Sequence, residues 1–425
     1  MKTTIRTLAL LCAFFAAETA ALAAAKLVST GREGAFYVSQ DDGKVWRRVP
    51  SGVSTYLNGV TSDNRGAFVA VGAKGVILRS VNYGKTWKKV SSGVTESLTA
   101  IAFDEVSDRM VAVGAQAVIL RSDDLGLTWT RVPVESDAEL YGVATDGQGT
   151  WVAVGTRGQV ASSSDDAESF TLPDPATRHQ LNDLTYAKGH FVAAGVGGTV
   201  VSSADGGTTW KGAETGSKLP FEGVAVDGLG NVLAVGWKGS IYRSENGGET
   251  WSAVASGSTA RLFAATPFGE QGFVITGEKG LVLRSEDGGV TWKSNKKPNG
   301  RQNIETVAQA RLPNLGLSKV HLDEACEVVV TIASTGPARL PSDAWDGRVT
   351  LAIPFPKGFL QPVSLAELDP AKALLVPGTS VTTKIPGAKV AGKKKLKLTL
   401  DPGQKLVQAS RADDEVEAEL ECAAP

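Results

Sequence analysis

Short apolar runs alternate with glycine-rich polar segments along residues 26–310, as in the runs 68–71 and 76–78. Runs of three or four apolar residues bounded by turn residues are typical of β-strands rather than helices. A further pattern, Leu57-x-x-Val60, precedes the first of these runs and recurs along the chain. Together these patterns predict four short strands per repeat, which we call A, B, C and D in chain order.

A polar unit, Ser-x-Asp/Asn-x-Gly-x-Thr-Trp, recurs at intervals of 40 to 42 residues and predicts the turn between strands C and D. Short Ser and Asp side chains accept hydrogen bonds from their own turn, and glycine supplies a positive φ. The tryptophan is expected to pack between neighbouring sheets. Only the fourth copy is degenerate, with Ala167 for glycine and Phe170 for tryptophan. The seven serines are Ser39, Ser80, Ser122, Ser163, Ser203, Ser244 and Ser285.

A second pair of small residues, usually Gly-x-x-Gly, precedes each serine and predicts a tight turn between strands B and C. Strands B to D occur seven times, but the A pattern occurs only six times between them. The missing copy follows the last unit, within residues 304–310. The sequence therefore predicts an all-β fold whose residues 24–311 form a seven-bladed β-propeller, closed by pairing of 304–310 with the strand that starts at Leu27.

Two segments flank the predicted propeller. Residues 1–23 have Lys2 and Arg6, an apolar stretch and small residues, which indicate a signal peptide and a periplasmic or secreted protein. The stretch is too short to cross about 30 Å of bilayer, so we expect no integral membrane span.

Beyond residue 312 the period stops, and short strands with turn signals predict an immunoglobulin-like β-sandwich over 312–425. Cys326 and Cys422 are the two cysteines of the mature chain, and an even pair in an exported protein indicates a disulfide. The basic segment 393–397 is expected on the solvated face of an edge strand.

Composition argues against several functions. The 44 basic and 45 acidic residues balance, which gives no electrostatic reason to expect nucleic acid. The three histidines are scattered, and the Asp units lack the further carboxylates of a calcium shell, so we expect no metal or other cofactor. Tyr141 and Tyr186 occupy A-strand positions where a nucleophile could face the channel, but blade packing is the preferred interpretation. We therefore expect no enzymatic activity.

The repeat resembles the Asp-box (BNR) units of sialidase-like propellers, and the composite motif from Gly277 to Trp292 is more similar to the photosystem II assembly and stability factor family. That family resemblance implies a seven-bladed propeller that binds a partner protein in the thylakoid lumen or periplasm and catalyses nothing. A sialidase-type site would need three arginines, a tyrosine with a glutamate, and an acid, and we cannot assemble this set. Residues 312–425 resemble the cell-adhesion-related (CARDB) modules, which implies an extracytoplasmic interaction or spacer domain.

These observations predict a non-enzymatic, exported assembly factor that recognises an unidentified protein partner through one face of the propeller. The alternative is a glycan-binding protein or a sialidase-like glycoside hydrolase relative. Because strands alternate in direction, the B–C turns and D–A links share a face, where several cations could ring the channel mouth. Four arginines that directly precede a serine of the repeat, Arg79, Arg121, Arg243 and Arg284, are expected to connect blades. The candidate partner-binding residues are Arg32, Lys74, Arg157, Arg178, Lys238, Arg261 and Lys279.

Overall fold

A computed structural model describes most of the chain. The described residues are 26–39, 41, 43–269, 271–294, 303–310, 315–334, 350–352, 354–355, 358–359, 363–375, 379–390, 392–400 and 415–422. The predicted signal peptide lies outside them. Among the described residues, no helix is long and apolar enough to cross a membrane.

The first 27 strands form seven antiparallel sheets, which we call blades 1 to 7, and each blade runs A to D from its inner to its outer strand. Blade 1 contains β27 (Ile304–Ala310), β1 (Lys26–Gly31), β2 (Ala35–Ser39) and β3 (Trp46–Pro50); blade 2 contains β4 (Leu57–Ser62), β5 (Phe68–Gly72), β6 (Ile77–Ser80) and β7 (Lys88–Val90); blade 3 contains β8 (Leu98–Asp104), β9 (Arg109–Gly114), β10 (Ile119–Ser122) and β11 (Thr130–Val132); blade 4 contains β12 (Leu140–Thr145), β13 (Trp151–Gly155) and β14 (Val160–Ser163). Blade 5 contains β15 (Leu181–Ala187), β16 (His190–Gly195), β17 (Val200–Ser203) and β18 (Lys211–Ala213); blade 6 contains β19 (Phe221–Val226), β20 (Val232–Gly236), β21 (Ile241–Ser244) and β22 (Ser252–Val254); blade 7 contains β23 (Leu262–Phe268), β24 (Gly272–Gly277), β25 (Val282–Ser285) and β26 (Lys293–Ser294).

The A strands form a closed ring. Each contacts the A strand of the next blade, from β4 through β8, β12, β15, β19 and β23 to β27, and β27 contacts β4. The sheets are therefore arranged around a common axis, and the expected all-β propeller architecture is present.

The two ends of the ring meet in blade 1. β27 pairs antiparallel with β1, in a register that runs from Lys26 opposite Ala310 to Gly31 opposite Ile304. The hydroxyls of Thr30 and Thr306 lie 2.8 Å apart and add a side-chain hydrogen bond to the ladder. This is the pairing that the strand count predicts, and it joins strands from both ends of the propeller sequence.

Apolar side chains fill the space between adjacent blades rather than one central core. Phe36 of blade 1 stacks on Trp87 of blade 2, with ring centroids 3.8 Å apart and planes 6° from parallel. Trp129 packs on the buried cluster that joins blades 2 and 3, and Trp292 on the cluster that joins blades 6 and 7. The tryptophans of the repeat therefore pack between blades, as the sequence predicts.

Blade 4 departs from the prediction of four strands per repeat. Its fourth segment makes a single bridge, Thr171 opposite Ser162, instead of a strand. Two residues further on stands Pro173, which has no N–H to donate to a ladder. The side-chain amide of Gln159 donates instead to the carbonyl of Val160, at 2.9 Å.

The strands of the C-terminal region form two larger sheets and a small hairpin. One sheet has the order β28 (Leu315–Leu322), β29 (Glu327–Ser334), β34 (Ser380–Lys389), the other the order β33 (Val363–Ser364), β30 (Thr350–Ala352), β35 (Gly392–Leu400), β36 (Glu415–Cys422), and the hairpin joins β31 (Pro354–Phe355) to β32 (Gly358–Phe359). Helix α1 (Leu365–Leu368) and a 3₁₀ turn, Ala373–Leu375, complete the described elements.

One buried apolar cluster draws on strands of both large sheets, including Val330 and Ile332 from one and Leu396 and Leu398 from the other. This supports the interpretation as a sandwich. β35 pairs with β36 from Gly392 to Thr399, whereas β30 pairs only with Thr399 and Leu400 of β35, so the expectation that 393–397 lies along an edge stays a prediction. Cys326 is disulfide-bonded. The side chain of Cys422 lies outside the described residues, so the Cys326–Cys422 pairing stays a prediction.

Candidate partner-binding face

The B–C turns and D–A links of the propeller lie against each other on one side of the ring, which we call the turn face. In blades 2 to 7 the B–C turn donates a backbone hydrogen bond to the residue before its own A strand, as from Ala73 to the Tyr56 carbonyl at 2.9 Å. On the opposite side, the box face, the Asp boxes bond to the A–B loops, as from Tyr83 N to the Gly66 carbonyl at 2.9 Å.

Each B–C turn is a three-residue 3₁₀ turn whose central residue has a left-handed backbone, with φ between 53° and 74°. Six of the seven central residues have a side chain, and these side chains are exposed on the turn face. The seven central residues are Glu33, Lys74, Gln116, Arg157, Gly197, Lys238 and Lys279.

Glycine is required on either side of the central residue for two different physical reasons. A Cβ on Gly72 would lie 2.2 Å from the carbonyl oxygen of Tyr56, so the first position needs a missing side chain for close approach. Gly75 combines a φ of 63° with a hypothetical Cβ 2.1 Å from the Val94 carbonyl oxygen. The backbone of the turn therefore packs directly against the D–A links, and this contact fixes the position of the central cationic residue.

Arg32, one of the candidate partner-binding residues, does not occupy the central position of its B–C turn. The turn of blade 1 spans Arg32–Gly34, and Glu33 holds its left-handed central position. Blade 1 therefore places an acidic residue where blades 2, 4, 6 and 7 place Lys74, Arg157, Lys238 and Lys279. The side chain of Arg32 lies outside the described part of the chain.

Three of the remaining cations have carboxylate partners that partly neutralise the rim. Arg157 lies 3.7 Å from Asp137, and Lys279 lies 3.3 Å from the adjacent Glu278. The exposed side chains of Lys74, Arg178 and Lys238 form no ion pair with another described residue. Among the described residues, candidate cations without an ion-pair partner therefore occur in fewer blades than the sequence suggests. The third paired cation is Arg261.

Arg261 belongs to a cluster that the sequence did not reveal. Its guanidinium lies 2.7 Å from the Glu222 carboxylate, 4.8 Å from the centroid of Trp237 and 5.1 Å from that of Phe263. The indole N–H of Trp237 donates to the same carboxylate oxygen of Glu222. Trp237 is 42% exposed even so. We call Glu222, Trp237, Arg261 and Phe263 the mouth cluster.

The mouth cluster sits at the inner edge of the turn face because of a backbone irregularity. The pairing of strands A and B shifts register between Phe221 and Gly223, so Glu222 is left out of the ladder. Blade 7 has the same shift between Leu262 and Ala264, which leaves out Phe263. Such bulges redirect side chains. Sequence reasoning missed the cluster because its members come from two blades.

Within the ring wall, Asp183 links two A strands. Its carboxylate accepts hydrogen bonds from the amides of Leu184 and of Val224 in the next blade, both at 2.8 Å. Burial raises its pKa to about 6, and the two amides oppose this rise. This carboxyl is a structural bridge between blades 5 and 6.

The two candidate tyrosines do not come together. Tyr141 donates to the carboxylate of Glu139, and burial raises the pKa of the phenol to about 12, with Glu139 adding to the rise. A phenol of such a high pKa is a weak nucleophile at neutral pH. Tyr186 packs on Phe191, with ring centroids 4.9 Å apart.

Arg79, Arg121 and Arg243 connect neighbouring blades, as expected of the arginines that precede a box serine. The Nε of Arg79 donates to the carbonyl of Leu125 in the next box at 2.8 Å, and Arg243 donates to the equivalent carbonyl of Gly288. Arg121 pairs with Glu168 of the next blade. Arg284 lies over Phe268 of its own blade, 4.3 Å from the ring centroid, and pairs with Glu286. The described residues contain no group of three or more potential metal-ligating side chains.

Comparisons with known proteins support the fold and no closer relationship. No family model matches the sequence, and no curated protein matches it either.

Several solved propellers are similar in structure. YCF48 bound to a D1 peptide has a TM-score of 0.51 and 14% identity, over 66% of this chain and 90% of that one. The WD40 propeller domain of Doa1 has a TM-score of 0.51 and 11% identity, over 62% and 90%. A GH74 xyloglucanase from Xanthomonas campestris has a TM-score of 0.52 and 14% identity, over 75% and 59%. At these identities the likeness shows a shared propeller fold.

Proposed function

We propose that the protein is a non-enzymatic, exported binding factor that holds a protein partner on the turn face of its propeller. The mouth cluster is the observation that carries this proposal. Trp237 and Arg261 are the residue types that contribute most often to the binding energy of protein interfaces. Glu222 holds both of them in place before any partner arrives, which lowers the entropic cost of binding.

The surroundings of the mouth cluster extend the surface. Tyr56 and Val196 are also on the turn face, 51% and 38% exposed, and the cations Lys74 and Lys238 stand at its rim. A mixture of exposed aromatic and apolar groups with a cationic rim fits a protein partner that carries acidic groups around an apolar centre. One structural neighbour, YCF48, is bound to a D1 peptide, which supports peptide binding by this kind of fold.

The experiment is photo-crosslinking in the cell, with a crosslinking amino acid placed at Tyr56 of the full chain. We expect one main protein adduct. Lys74→Glu plus Lys238→Glu should abolish it by reversing the rim charge, and Trp237→Ala should abolish it by removing the central anchor. Circular dichroism should show that both variants remain folded.

The matched control is Lys85→Glu plus Lys88→Glu, which makes the same charge change in and beside the Asp box of blade 2, where both side chains are exposed. This variant should keep the adduct. An adduct that survives the turn-face variants, or is lost equally in the control, contradicts the proposal. Saturable turnover of sialosides or polysaccharides would contradict its non-enzymatic part.

The C-terminal sandwich has a supporting role in this proposal, as a spacer or interaction module outside the cytoplasm. A cysteine in disulfide linkage agrees with an oxidising compartment. Fusion of residues 1–30 to a reporter that is active only after export tests the location. A reporter that stays inactive would contradict the proposed export.

A further inference from the structure

A cavity of about 410 Å³ opens between blades 4 and 5, on the box face and therefore opposite the mouth cluster. It lies between the Asp boxes of the two blades and the A–B loop of blade 4. Its volume falls within the roughly 300–1,000 Å³ range of small-molecule sites in proteins.

The cavity exists because the side chain that precedes the box serine is short in blade 4. The position before the box serine is Arg79, Arg121, Arg243 or Arg284 in four blades, but Ser162 in blade 4. Ser162 Oγ donates to the carbonyl of Gly206 at 2.5 Å, which is the bond that Arg79 makes to Leu125 in blade 3. The serine keeps the contact between blades and leaves empty the volume that a guanidinium fills elsewhere.

Four unused polar groups converge on this space. The hydroxyls of Thr150, Ser164 and Tyr186 and the second carboxylate oxygen of Asp146 form no hydrogen bond with another described residue. The first oxygen of Asp146 is already held by the amides of Gln148 and Thr150, at 2.8 and 2.9 Å, so the carboxylate is fixed in position.

The chemistry of the lining selects the ligand. Tyr186 adds a partly exposed ring to the wall, and Asp205 adds a second carboxylate. No lysine or arginine is among the described residues that line the cavity. Anionic ligands would therefore be repelled, whereas a ligand with several hydroxyls and an apolar face would satisfy the free groups and pack on the ring.

We propose that this cavity binds a neutral pyranose unit of a glycan. The carboxylate of Asp146 accepts hydrogen bonds from sugar hydroxyls, and the free hydroxyls of Thr150, Ser164 and Tyr186 donate or accept. Tyr186 packs against the C–H face of the sugar ring. The site is separate from the turn face, so either proposal can fail without the other.

The experiment uses titration calorimetry and ligand-observed NMR on the full chain with maltohexaose, cellohexaose and chitohexaose. We expect at least one to bind with a dissociation constant of about 1 mM or tighter. Ser162→Arg restores the residue that four other blades carry, so it should fill the cavity and weaken binding by roughly tenfold or more.

The matched control is Ser202→Arg, the same change at the equivalent position of blade 5, which lies at a separate cavity of about 210 Å³. It should leave binding unchanged. Asp146→Asn and Tyr186→Phe each remove one polar function without filling space, and each should weaken binding severalfold. If Ser162→Arg does not fold, the binding data for Asp146→Asn and Tyr186→Phe test the proposal.

Three results would overturn the proposal. The first is that none of the three oligosaccharides binds at about 10 mM. The second is binding that is unchanged in Ser162→Arg, Asp146→Asn and Tyr186→Phe. The third is that sialyllactose or an acidic peptide binds and that Ser162→Arg abolishes this binding. The last result would assign the cavity to an anionic or peptide ligand instead.

Discussion

The serine, the Asp or Asn and the glycine of an Asp box bond to one another within eight residues of the chain. In blade 1 the hydroxyl of Ser39 donates to Asp41 Oδ1 at 2.8 Å and accepts from the amide of Gly43 at 2.9 Å, while the indole of Trp46 donates to the Gly43 carbonyl at 2.9 Å. Because all partners are local, sequence spacing was sufficient to predict this geometry. Asp183 shows the opposite case, since its partner Val224 lies 41 residues away in another blade.

Asp183 makes stability depend on pH. Its pKa rises from 3.8 to about 6 on burial, so the folded state holds a proton more tightly than the unfolded state does. This contribution is complete below about pH 4 and is lost as the pH rises through about 6. Asp183→Asn should therefore gain stability relative to the native protein between about pH 4 and 7, by up to about 3 kcal/mol.

Urea denaturation across this pH range measures the difference. Asp137→Asn is the control, because the Asp137 side chain is 93% exposed, and its stability should follow that of the native protein. A constant difference between Asp183→Asn and native protein at all pH values would contradict the interpretation.

The first glycine of each B–C turn is required for close approach. A Cβ on Gly155 would lie 1.9 Å from the carbonyl oxygen of Glu139, so Gly155→Ala should cost about 1–3 kcal/mol in the free energy of unfolding. Gly212→Ala is the control, because nothing lies within 4 Å of its added Cβ and its φ is not positive. Equal melting temperatures of the two variants would show that the turn can move away from the link.

At the scale of elements, six of the seven sheets have the four strands that the repeat predicts, and blade 4 has three. The Phe170 and Ala167 substitutions marked blade 4 as degenerate, but a missing strand did not follow from them. Pro173 is the physical reason, since it removes the N–H that would bond to Val160 in a regular ladder. The A-strand bulges were equally hidden, because the register shift depends on pairing between strands.

The proposed disulfide joins the turn before β29, which contains Cys326, to β36, the last strand of the sandwich. Closure of a loop of roughly 100 residues restricts the unfolded chain and contributes about 4–5 kcal/mol by the chain-entropy estimate. Cys422→Ala should lower the melting temperature of the sandwich to the value that the native protein shows under reducing conditions. Peptide mapping without reduction should identify a Cys326–Cys422 cross-link, and a different partner for Cys326 would contradict the pairing.

At the scale of the whole molecule, stability depends on the return of β27 to blade 1. Val307 is 8% exposed and packs in the cluster that joins blades 7 and 1. Val307→Asp places an unpaired charge there and should cost about 3 kcal/mol or more. Gln309→Asp, in the same strand but partly exposed, is the control for the loss of strand propensity. Calorimetry should show a lower melting temperature only for Val307→Asp.

The 41-residue period and the count of A strands were sufficient to predict the ring and its closure. They could not locate the mouth cluster or the cavity at Ser162, because both arise where side chains of neighbouring blades meet. A serine in place of arginine was visible in the sequence. The cavity that results from this serine could not be predicted from the sequence, because residues of the following blade form part of its wall.

The ladder that sets Lys26 opposite Ala310 also has an evolutionary consequence. In a propeller whose first and last strands are neighbours, any blade can come first in the sequence. Circular permutations of the gene therefore preserve the same fold. A permuted protein that begins at Gly93, where an added Cβ would have no atom within 4 Å, would keep the strands of every blade. The present start in blade 1 is thus one of several equivalent ways to encode this ring.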